Sequence, residues 1–363
     1  MAKRVSVDKT LFAVTLMLVF SGLVMVFSAS AVMAAERFGS PYYFLLRQMA
    51  WAAAGLVAMV GLMNLDYRRL RHPAVVFSLL GVTTLLLVAV LFLDRSHNTH
   101  RWIRLGAFSF QPSELAKPAL ILFFAWFLAG RLRSMDDWRN TLLPAVLPAL
   151  VFAGLIVRQP DLGTAIVVLL VASVVLFVAG MQLRYFAFAL AGSLPLLYLL
   201  VFRVKWRYER ILAFLDPWSD PLGRGFHVIQ SLIAVGTGGI TGVGLMEGKQ
   251  KLFYLPEPHT DFIYSVVAEE IGLLGALAIL VLFGVFLYRG LHTAVSTHDP
   301  FARLLAAGIT AMVVVQAFLN LSVVLGLLPT KGIPLPMVSY GGSSLFVTLA
   351  SVGVLLNITQ QTD

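Results

Sequence analysis

One acidic residue stands where a polar segment meets an apolar run long enough to cross a bilayer. Asp261 follows a short string that contains Glu257 and His259, and it precedes an apolar run that continues to about residue 288. A carboxylate at a membrane boundary is costly unless it is paired or functional. Partial desolvation favours a raised pKa, as a general base requires. The alternative is a helix N-cap, which Asp also favours, and the pattern alone does not separate the two.

Four basic residues are predicted to lie on the same side of the membrane as Asp261: Arg101, Arg104, Arg158 and Lys331. Arg and Lys suit phosphate and pyrophosphate, and Arg binds them through a two-pronged fork. The alternative for any one of these residues is contact with lipid headgroups. Their occurrence on one side favours a joint anion-binding site.

Charged residues also occur inside the apolar runs. Glu114 and Lys117 are three residues apart, so they share a helix face and are expected to pair. Lys117 is also a candidate for contact with the substrate. Glu269 and Glu270 lie about two turns beyond Asp261 in the same predicted helix. Structural pairing is at least as good an explanation for these two acids as function, and we assign them no catalytic role.

A segment rich in proline precedes the last apolar run. Proline and glycine recur too densely in residues 328–336 for a regular helix. Irregular backbone at membrane depth is tolerated where it lines a cavity or is buried in protein. Ser339, Tyr340 and Ser343 then open the last run, where hydroxyls and free backbone N–H groups can receive an anion.

The composition is that of a membrane protein. Of 363 residues, 59% are hydrophobic and 12% are charged, and the mean hydropathy is +0.87. A soluble domain is about half apolar and roughly a quarter charged. The absence of cysteine excludes disulfides and thiolate metal sites. Three explanations compete for the net charge of +9. Basic cytoplasmic loops account for much of it, and binding to anionic lipid or to a polyphosphate substrate is the second explanation. A nucleic-acid partner is the weakest of the three, because there is no soluble basic domain to bind it.

Hydropathy predicts an all-α polytopic protein that forms a single unit over residues 1–363, with about ten transmembrane helices. The expected spans are 11–34, 44–65, 74–93, 113–130, 141–157, 162–180, 185–202, 261–288, 302–327 and 338–358. An even number of spans puts both termini on one side. Three connections on that side are short and basic, so the positive-inside rule predicts that it is the cytoplasm.

Residues 203–260 are expected to form one large, structured extracytoplasmic loop. It begins with a basic, amphipathic stretch that is typical of a helix lying at the membrane interface. An apolar, glycine-rich stretch follows over residues 236–244. These glycines match neither a dinucleotide fingerprint nor a P-loop, so close packing or a re-entrant turn is the better interpretation.

At these residues the chain resembles the SEDS family (shape, elongation, division and sporulation). Five strings carry the resemblance: Arg101 to Gly106, Gln111 to Lys117, Gln159 to Thr164, Leu255 to Phe262, and Pro334 to Ser344. The string Pro329 to Gly332 favours the division branch of the family over the elongation branch.

The resemblance implies a peptidoglycan glycosyltransferase that polymerises lipid II on the outer face of the bacterial cytoplasmic membrane. Asp261 would be the general base, and basic residues would hold the pyrophosphate. The matching strings and their neighbourhood also nominate substrate-contacting residues: Arg101, Arg104, Lys117, Arg158, Gln159, Asp161, Glu257, His259, Lys331, Ser339, Tyr340 and Ser343. A divalent cation, Mg or Mn, is an open question because no ligand cluster supports it.

The same resemblance implies partners and a location. They are a class B penicillin-binding protein of the FtsI type, a scaffold of FtsQ, FtsL and FtsB, membrane lipids, and a place at the division septum. Two other functions stay open: an elongation polymerase of the same family, and a lipid II flippase, which polytopic helices and interior acids also suit. A purely structural division scaffold would not need the cluster of charges on the outer side.

Overall fold

The computed structural model describes residues 7–94, 100–105, 108–252 and 254–361, apart from the side chains of residues 105 and 108. These residues form twelve α-helices and one short antiparallel hairpin. The helices are α1 (Lys9–Phe38), α2 (Tyr43–Asn64), α3 (Pro73–Leu93), α4 (Pro112–Ala129), α5 (Leu143–Arg158), α6 (Leu162–Val178), α7 (Leu183–Phe202), α8 (Lys205–Leu215), α9 (Phe226–Thr237), α10 (Ile263–Ser296), α11 (Pro300–Val324) and α12 (Gly342–Thr359). The hairpin strands are β1 (Ile103–Leu105) and β2 (Phe108–Phe110).

The multi-pass helical architecture is confirmed. Nine helical stretches in the described parts of the chain are at least 18 residues long and apolar enough to cross a membrane, and one of them is α5 taken together with the π-helical turn Trp138–Leu142 before it. Helix α6, at 17 residues, corresponds to the remaining predicted span. Most ends lie within a few residues of the predictions. The predicted end of α10 was wrong: the helix begins at Ile263, two residues after the predicted start, but continues to Ser296 instead of ending at 288. The predicted last span also began too early, because α12 starts at Gly342.

The centre of the bundle is formed by α11 and α12. In the most apolar 18-residue stretch of each helix, 78% and 83% of the residues are buried. Helices α2 and α12 approach closely because small residues face the partner helix. A Cβ on Gly55 would lie 2.7 Å from Leu349 Cδ1, and one on Gly353 would meet the backbone of Met59. By contrast, α7 has no buried residue and lies at the edge of the bundle.

Helices α1 and α10 run antiparallel and are joined by polar contacts at two levels. At one level Arg289 donates to Asp8 at 2.6 Å, and at the other Ser28 Oγ donates to Glu270 at 2.7 Å. Asp8 and Ser28 are separated by roughly 30 Å along α1 at about 1.5 Å per residue. Since the hydrocarbon core of a bilayer is also about 30 Å thick, these contacts match its two boundaries.

Helix α10 is interrupted at Gly272, and the glycine-rich part of the large loop fills the interruption. Gly272 has φ +70°, a conformation that glycine adopts without steric cost. The backbone N–H groups of Val243 and Gly244 donate to the carbonyls of Glu269 and Glu270 at 3.0 and 3.1 Å. The loop is thereby paired to the helix backbone, and the close glycine packing expected from the sequence is confirmed.

The two acids beside the interruption are paired within the fold. Glu270 accepts from Lys251 Nζ at 2.6 Å, and both side chains are buried. Glu269 accepts from the backbone N–H groups of Lys249 and Gln250 at 2.8 and 3.2 Å. The expected structural pairing of Glu269 and Glu270 is confirmed, and it anchors the loop that leads to Asp261.

Candidate functional site: a cavity around Asp261

A cavity of about 400 Å³ opens at the end of the bundle that carries the 203–260 loop. Its wall combines α8, the segment before α9, the segment before α10 and the segment between α11 and α12. The residues that line it are Trp206, Glu209, Arg210, Gly223, Arg224, His227, Pro256, Glu257, Asp261, Phe262, Thr330, Lys331 and Gly332. Three of the predicted site residues, Glu257, Asp261 and Lys331, meet here.

Asp261 lies partly buried in the cavity wall, two residues before α10 begins. Burial raises the pKa of its carboxyl to about 7, and the neighbouring Glu257 carboxylate contributes to the rise. The N-cap of α10 is Phe262, and no side chain caps the helix there. The capping alternative for Asp261 is therefore wrong, and its carboxylate is left to face the cavity.

The segment that carries Asp261 is held by hydrogen bonds from Ser339 and Tyr340, which lie just before α12. Tyr340 N donates to the His259 carbonyl at 2.9 Å, and Ser339 Oγ donates to the Thr260 carbonyl at 2.6 Å. Ser339 Oγ also accepts from Leu335 N at 2.8 Å. Ser339 and Tyr340 thus support the cavity wall, whereas the sequence suggested that they receive an anion directly.

Lys331 is the predicted cation that reaches the cavity. Burial lowers its pKa to about 8, so its ammonium group is still mostly protonated at neutral pH. A Cβ on Gly163 would lie 2.8 Å from Lys331 Cγ, so only glycine at the start of α6 leaves room for the lysine stem. Arg210 of α8 lines the same cavity and donates to the Thr330 carbonyl at 3.3 Å.

Arg101 is committed to the turn between α5 and α6. Its Nε donates to the Gln159 carbonyl at 3.1 Å, its terminal nitrogen donates to the Pro160 carbonyl, and its charge lies 4.0 Å from Asp161. Asp161 itself caps α6 through Thr164 N at 3.2 Å. Gln159 is buried and donates to the Leu87 carbonyl at 3.0 Å. Arg101, Gln159 and Asp161 therefore stabilise the turn between α5 and α6 beside the cavity. None of the three lines the cavity.

Other predicted substrate contacts lie elsewhere. Lys117 is buried in an ion pair with Glu114 at 2.9 Å and donates to Gln316 Oε1 at 2.5 Å. The expected pair is confirmed, and the lysine does not line the cavity. Arg104 is exposed on the hairpin, opposite Ser109, and Arg158 is exposed at the end of α5. Ser343 Oγ accepts from the backbone N–H of Gln111 at 3.3 Å.

His259 is buried between aromatic rings, with centroid distances of 4.5 Å to Phe44 and 5.5 Å to Tyr340. Burial and the positive charge of Arg37 lower its pKa to about 4. The imidazole is therefore neutral at physiological pH and packs as an aromatic residue. Glu257 Oε2 lies 3.9 Å from His259 Nε2, with its own side chain 64% exposed.

An apolar groove of about 270 Å³ adjoins the cavity. It lies between α6, α8, α11 and the proline-rich segment, and it shares Trp206, Arg210, Thr330 and Lys331 with the cavity wall. A further apolar hollow follows between α6, α7 and α11, where Leu319 is common to both. The shared cations therefore stand at a boundary between a polar chamber and an apolar surface.

No group of three or more His, Asp or Glu side chains within the described ranges comes together as potential metal ligands. These residues alone do not form a cage for Mg or Mn, and the fit of a divalent cation would depend on oxygens of the substrate.

Several lining residues are not among the predicted substrate contacts: Trp206, Glu209, Arg210, Arg224 and His227. The basic residues of α8 could not be assigned to the cavity from the sequence, because hydropathy gives no direction for a side chain within a long loop. Arg224 and His227 lie in no motif that we could interpret. Their place in the wall follows from the fold of the loop.

The chain belongs to the FtsW/RodA/SpoVE family of cell cycle proteins, whose sequence profile matches residues 8–363. This is the family that the five strings indicated.

Its relatives include named enzymes and a sporulation protein. A probable peptidoglycan glycosyltransferase FtsW from Geobacter metallireducens is 46% identical over 354 residues, which cover 97% of this chain and 94% of the relative. Stage V sporulation protein E from Bacillus subtilis is 43% identical and covers 99% of this chain and 98% of the relative.

Solved structures have the same fold. A chain from a peptidoglycan synthase complex, solved to show the structural coordination of polymerization and crosslinking, has a TM-score of 0.81 and 36% identity over 99% of this chain and 100% of that chain. The rod shape determining protein RodA of Thermus thermophilus has a TM-score of 0.72 and 32% identity, over 99% of this chain and 98% of that chain.

Proposed function

We propose that this protein is a peptidoglycan glycosyltransferase that polymerises lipid II into glycan strands for septal wall synthesis. The observation that carries the proposal is the carboxylate of Asp261, with a pKa of about 7, in a cavity that also contains Lys331, Arg210 and Arg224. The names of the relatives and the family membership support the same conclusion.

In the proposed reaction, Asp261 accepts the proton of the 4-hydroxyl on the N-acetylglucosamine of one precursor. The hydroxyl oxygen forms a bond to the anomeric carbon of the second glycan. The bond from that carbon to the pyrophosphate breaks, its electron pair leaves with undecaprenyl pyrophosphate, and the configuration inverts. Because pyrophosphate carries its own negative charge, it leaves without a protein acid.

The cations would stabilise the charge that develops on the leaving group. Lys331 and Arg210 stand where the polar cavity meets the apolar groove. A lipid-linked pyrophosphate has the same two-part character, with a charged head on a long apolar tail. We place the pyrophosphate at Lys331 and Arg210 and the first isoprene units in the groove.

We further propose an orientation and partners. Both termini would lie in the cytoplasm, so the cavity would open on the outer face of the cytoplasmic membrane. A class B penicillin-binding protein of the FtsI type would crosslink the strands, and FtsQ, FtsL and FtsB would hold the pair at the septum. The structural similarity to a chain of a peptidoglycan synthase complex supports the first partner.

The direct test uses the purified protein with its cognate penicillin-binding protein, whose transpeptidase serine is replaced, and labelled lipid II. We expect glycan strands that appear as a ladder after electrophoresis. Lipid II translocation across vesicles without strand formation would instead support the flippase. In the native bacterium, a fluorescent fusion at the septum supports the division role, and one along the lateral wall supports the elongation role.

A further inference from the structure

Two segments of irregular backbone carry the proposed base and the proposed pyrophosphate cation. One precedes α10 and holds Asp261, and the other precedes α12 and holds Lys331. Neither segment is part of a regular helix, so neither residue is positioned by helical hydrogen bonds. Something else must fix the distance between the carboxylate and the ammonium group.

Besides the hydrogen bonds of Ser339 and Tyr340 to residues 260 and 259, one side-chain amide joins the two segments, and it does so at Asp261 itself. The side chain of Asn320, which is buried in α11, donates from Nδ2 to the Asp261 carbonyl at 2.8 Å and to the Ile333 carbonyl at 2.7 Å. Both hydrogens of the amide are therefore used, one on each segment. Its Oδ1 is buried and finds no donor among the residues that the structure describes. The amide is thus oriented by the two carbonyls alone.

A second amide lies one turn away on the same helix face and supports the same segment. Gln316 donates from Nε2 to the Pro334 carbonyl at 2.9 Å, and its Oε1 accepts from Lys117. Lys117 is in turn fixed by Glu114. The ion pair inside α4 thereby sets the orientation of Gln316, which holds the residue next to the one held by Asn320.

We propose that Asn320 is a positioning residue, which sets the separation between Asp261 and Lys331 by holding both backbone segments with one amide. Gln316, oriented by the buried pair of Lys117 and Glu114, reinforces it. This inference rests on the proposed glycosyltransferase function. It implies that the buried polar groups of α4 and α11 help to position the reacting groups.

The test compares Asn320→Leu, which keeps the volume of the side chain but removes both donors, with wild type and with Thr310→Val. Thr310 is a buried residue of the same helix, and its hydroxyl donates to the Ala306 carbonyl within α11. Its replacement controls for the loss of one buried polar group. All three proteins are assayed for lipid II polymerisation, after thermal unfolding shows that each is folded.

We expect kcat of Asn320→Leu to fall about tenfold to a hundredfold, because a displacement of the order of 1 Å between reacting groups costs roughly that much. KM should change much less, since the apolar groove is untouched. The acid limb of the pH–rate profile should also move to lower pH as the loosened segment exposes Asp261 to water. The substitution does not change the charges that act on Asp261, namely those of Glu257, Arg210, Asp161 and Arg101, or the charge of Lys331 in the same cavity wall.

Each outcome is decisive for the proposal. A folded Asn320→Leu with wild-type kcat and an unmoved acid limb overturns it. Equal losses in Asn320→Leu and Thr310→Val also overturn it, because they would reflect general loosening of α11. An inactive wild type would instead count against the proposed function, and the pairing would then be tested by a change in hydrogen exchange of residues 259–262 in Asn320→Leu alone, whose absence overturns the proposal.

Discussion

Replacing Gly332 by alanine offers a way to displace the proposed base without altering its chemistry. A Cβ at Gly332 would lie 2.7 Å from Asp261 Oδ2 and 3.5 Å from its Cγ. An ordinary contact between carbon and oxygen is about 3.3–3.6 Å. The carboxylate or the Lys331–Gly332 backbone must therefore move by roughly 0.6–0.9 Å.

A shift of that size predicts a kinetic defect and little change in stability. Because a misplacement of about 1 Å can cost about a hundredfold in rate, kcat should fall tenfold to a hundredfold. Gly332 is exposed and its φ is not positive, so alanine adopts the backbone conformation without strain. The free energy of unfolding should change by less than about 1 kcal/mol.

The assay is lipid II polymerisation at saturating substrate, with thermal unfolding in detergent measured in parallel. Gly154→Ala is the matched control, since no atom of the described residues outside the backbone of α5 itself lies within 4 Å of the Cβ that it would introduce. The control should polymerise at the wild-type rate. A Gly332→Ala protein that also works at the wild-type rate would refute the packing of Asp261 against Gly332.

Three further single variants, one of them also combined with a second substitution, test the electrostatics. Glu257→Gln removes a negative charge that raises the pKa of Asp261. The acid limb of the kcat/KM profile, expected near pH 7, should therefore move to lower pH. An acid limb that stays at the same pH or moves to higher pH contradicts this. Lys331→Met should lower kcat by about 10²–10³, whereas a loss confined to KM would argue against a role in charge stabilisation. Lys117→Met leaves Glu114 buried without its partner and should lower the free energy of unfolding by about 3–5 kcal/mol, while adding Glu114→Leu should recover most of it; a single variant as stable as wild type would count against the pair.

Hydropathy predicts the spans well because a helix must be apolar over about 20 residues to cross the hydrocarbon core of a bilayer. It could not predict that α10 is interrupted at Gly272, since the apolar pattern continues through the break. The interruption depends on backbone pairing with Val243 and Gly244, about thirty residues earlier in the chain. Helix α9 and the hairpin were missed for a related reason: each is short, and each takes its place from tertiary contacts.

Within the site, the sequence predicted the residues that line the cavity better than it predicted the residues that hold the surrounding backbone. Asp261 and Lys331 meet in one cavity, as their shared side of the membrane suggested. Arg101, Gln159 and Ser339 instead brace the surrounding turns. Arg, Gln and Ser can either bind a substrate or hold a backbone segment. Only the partner atoms in the structure distinguish the two roles.

The spacing of charged residues was informative where the partner lay on the same helix. Glu114 and Lys117 pair as their separation of three residues predicts. Their contact with Gln316 crosses to another helix, and no pattern within α4 could have indicated it.

The most direct test of the central claim is the polymerisation rate of Asp261→Asn, which keeps the shape of the side chain and removes its ability to accept a proton as a base. Wild type and variant would be compared with the cognate penicillin-binding protein present, with folding and lipid II binding measured for both. We predict that the variant folds and binds lipid II but forms strands about 10²–10⁴ times more slowly. A folded Asp261→Asn protein that makes strands at the wild-type rate would contradict Asp261 as the general base.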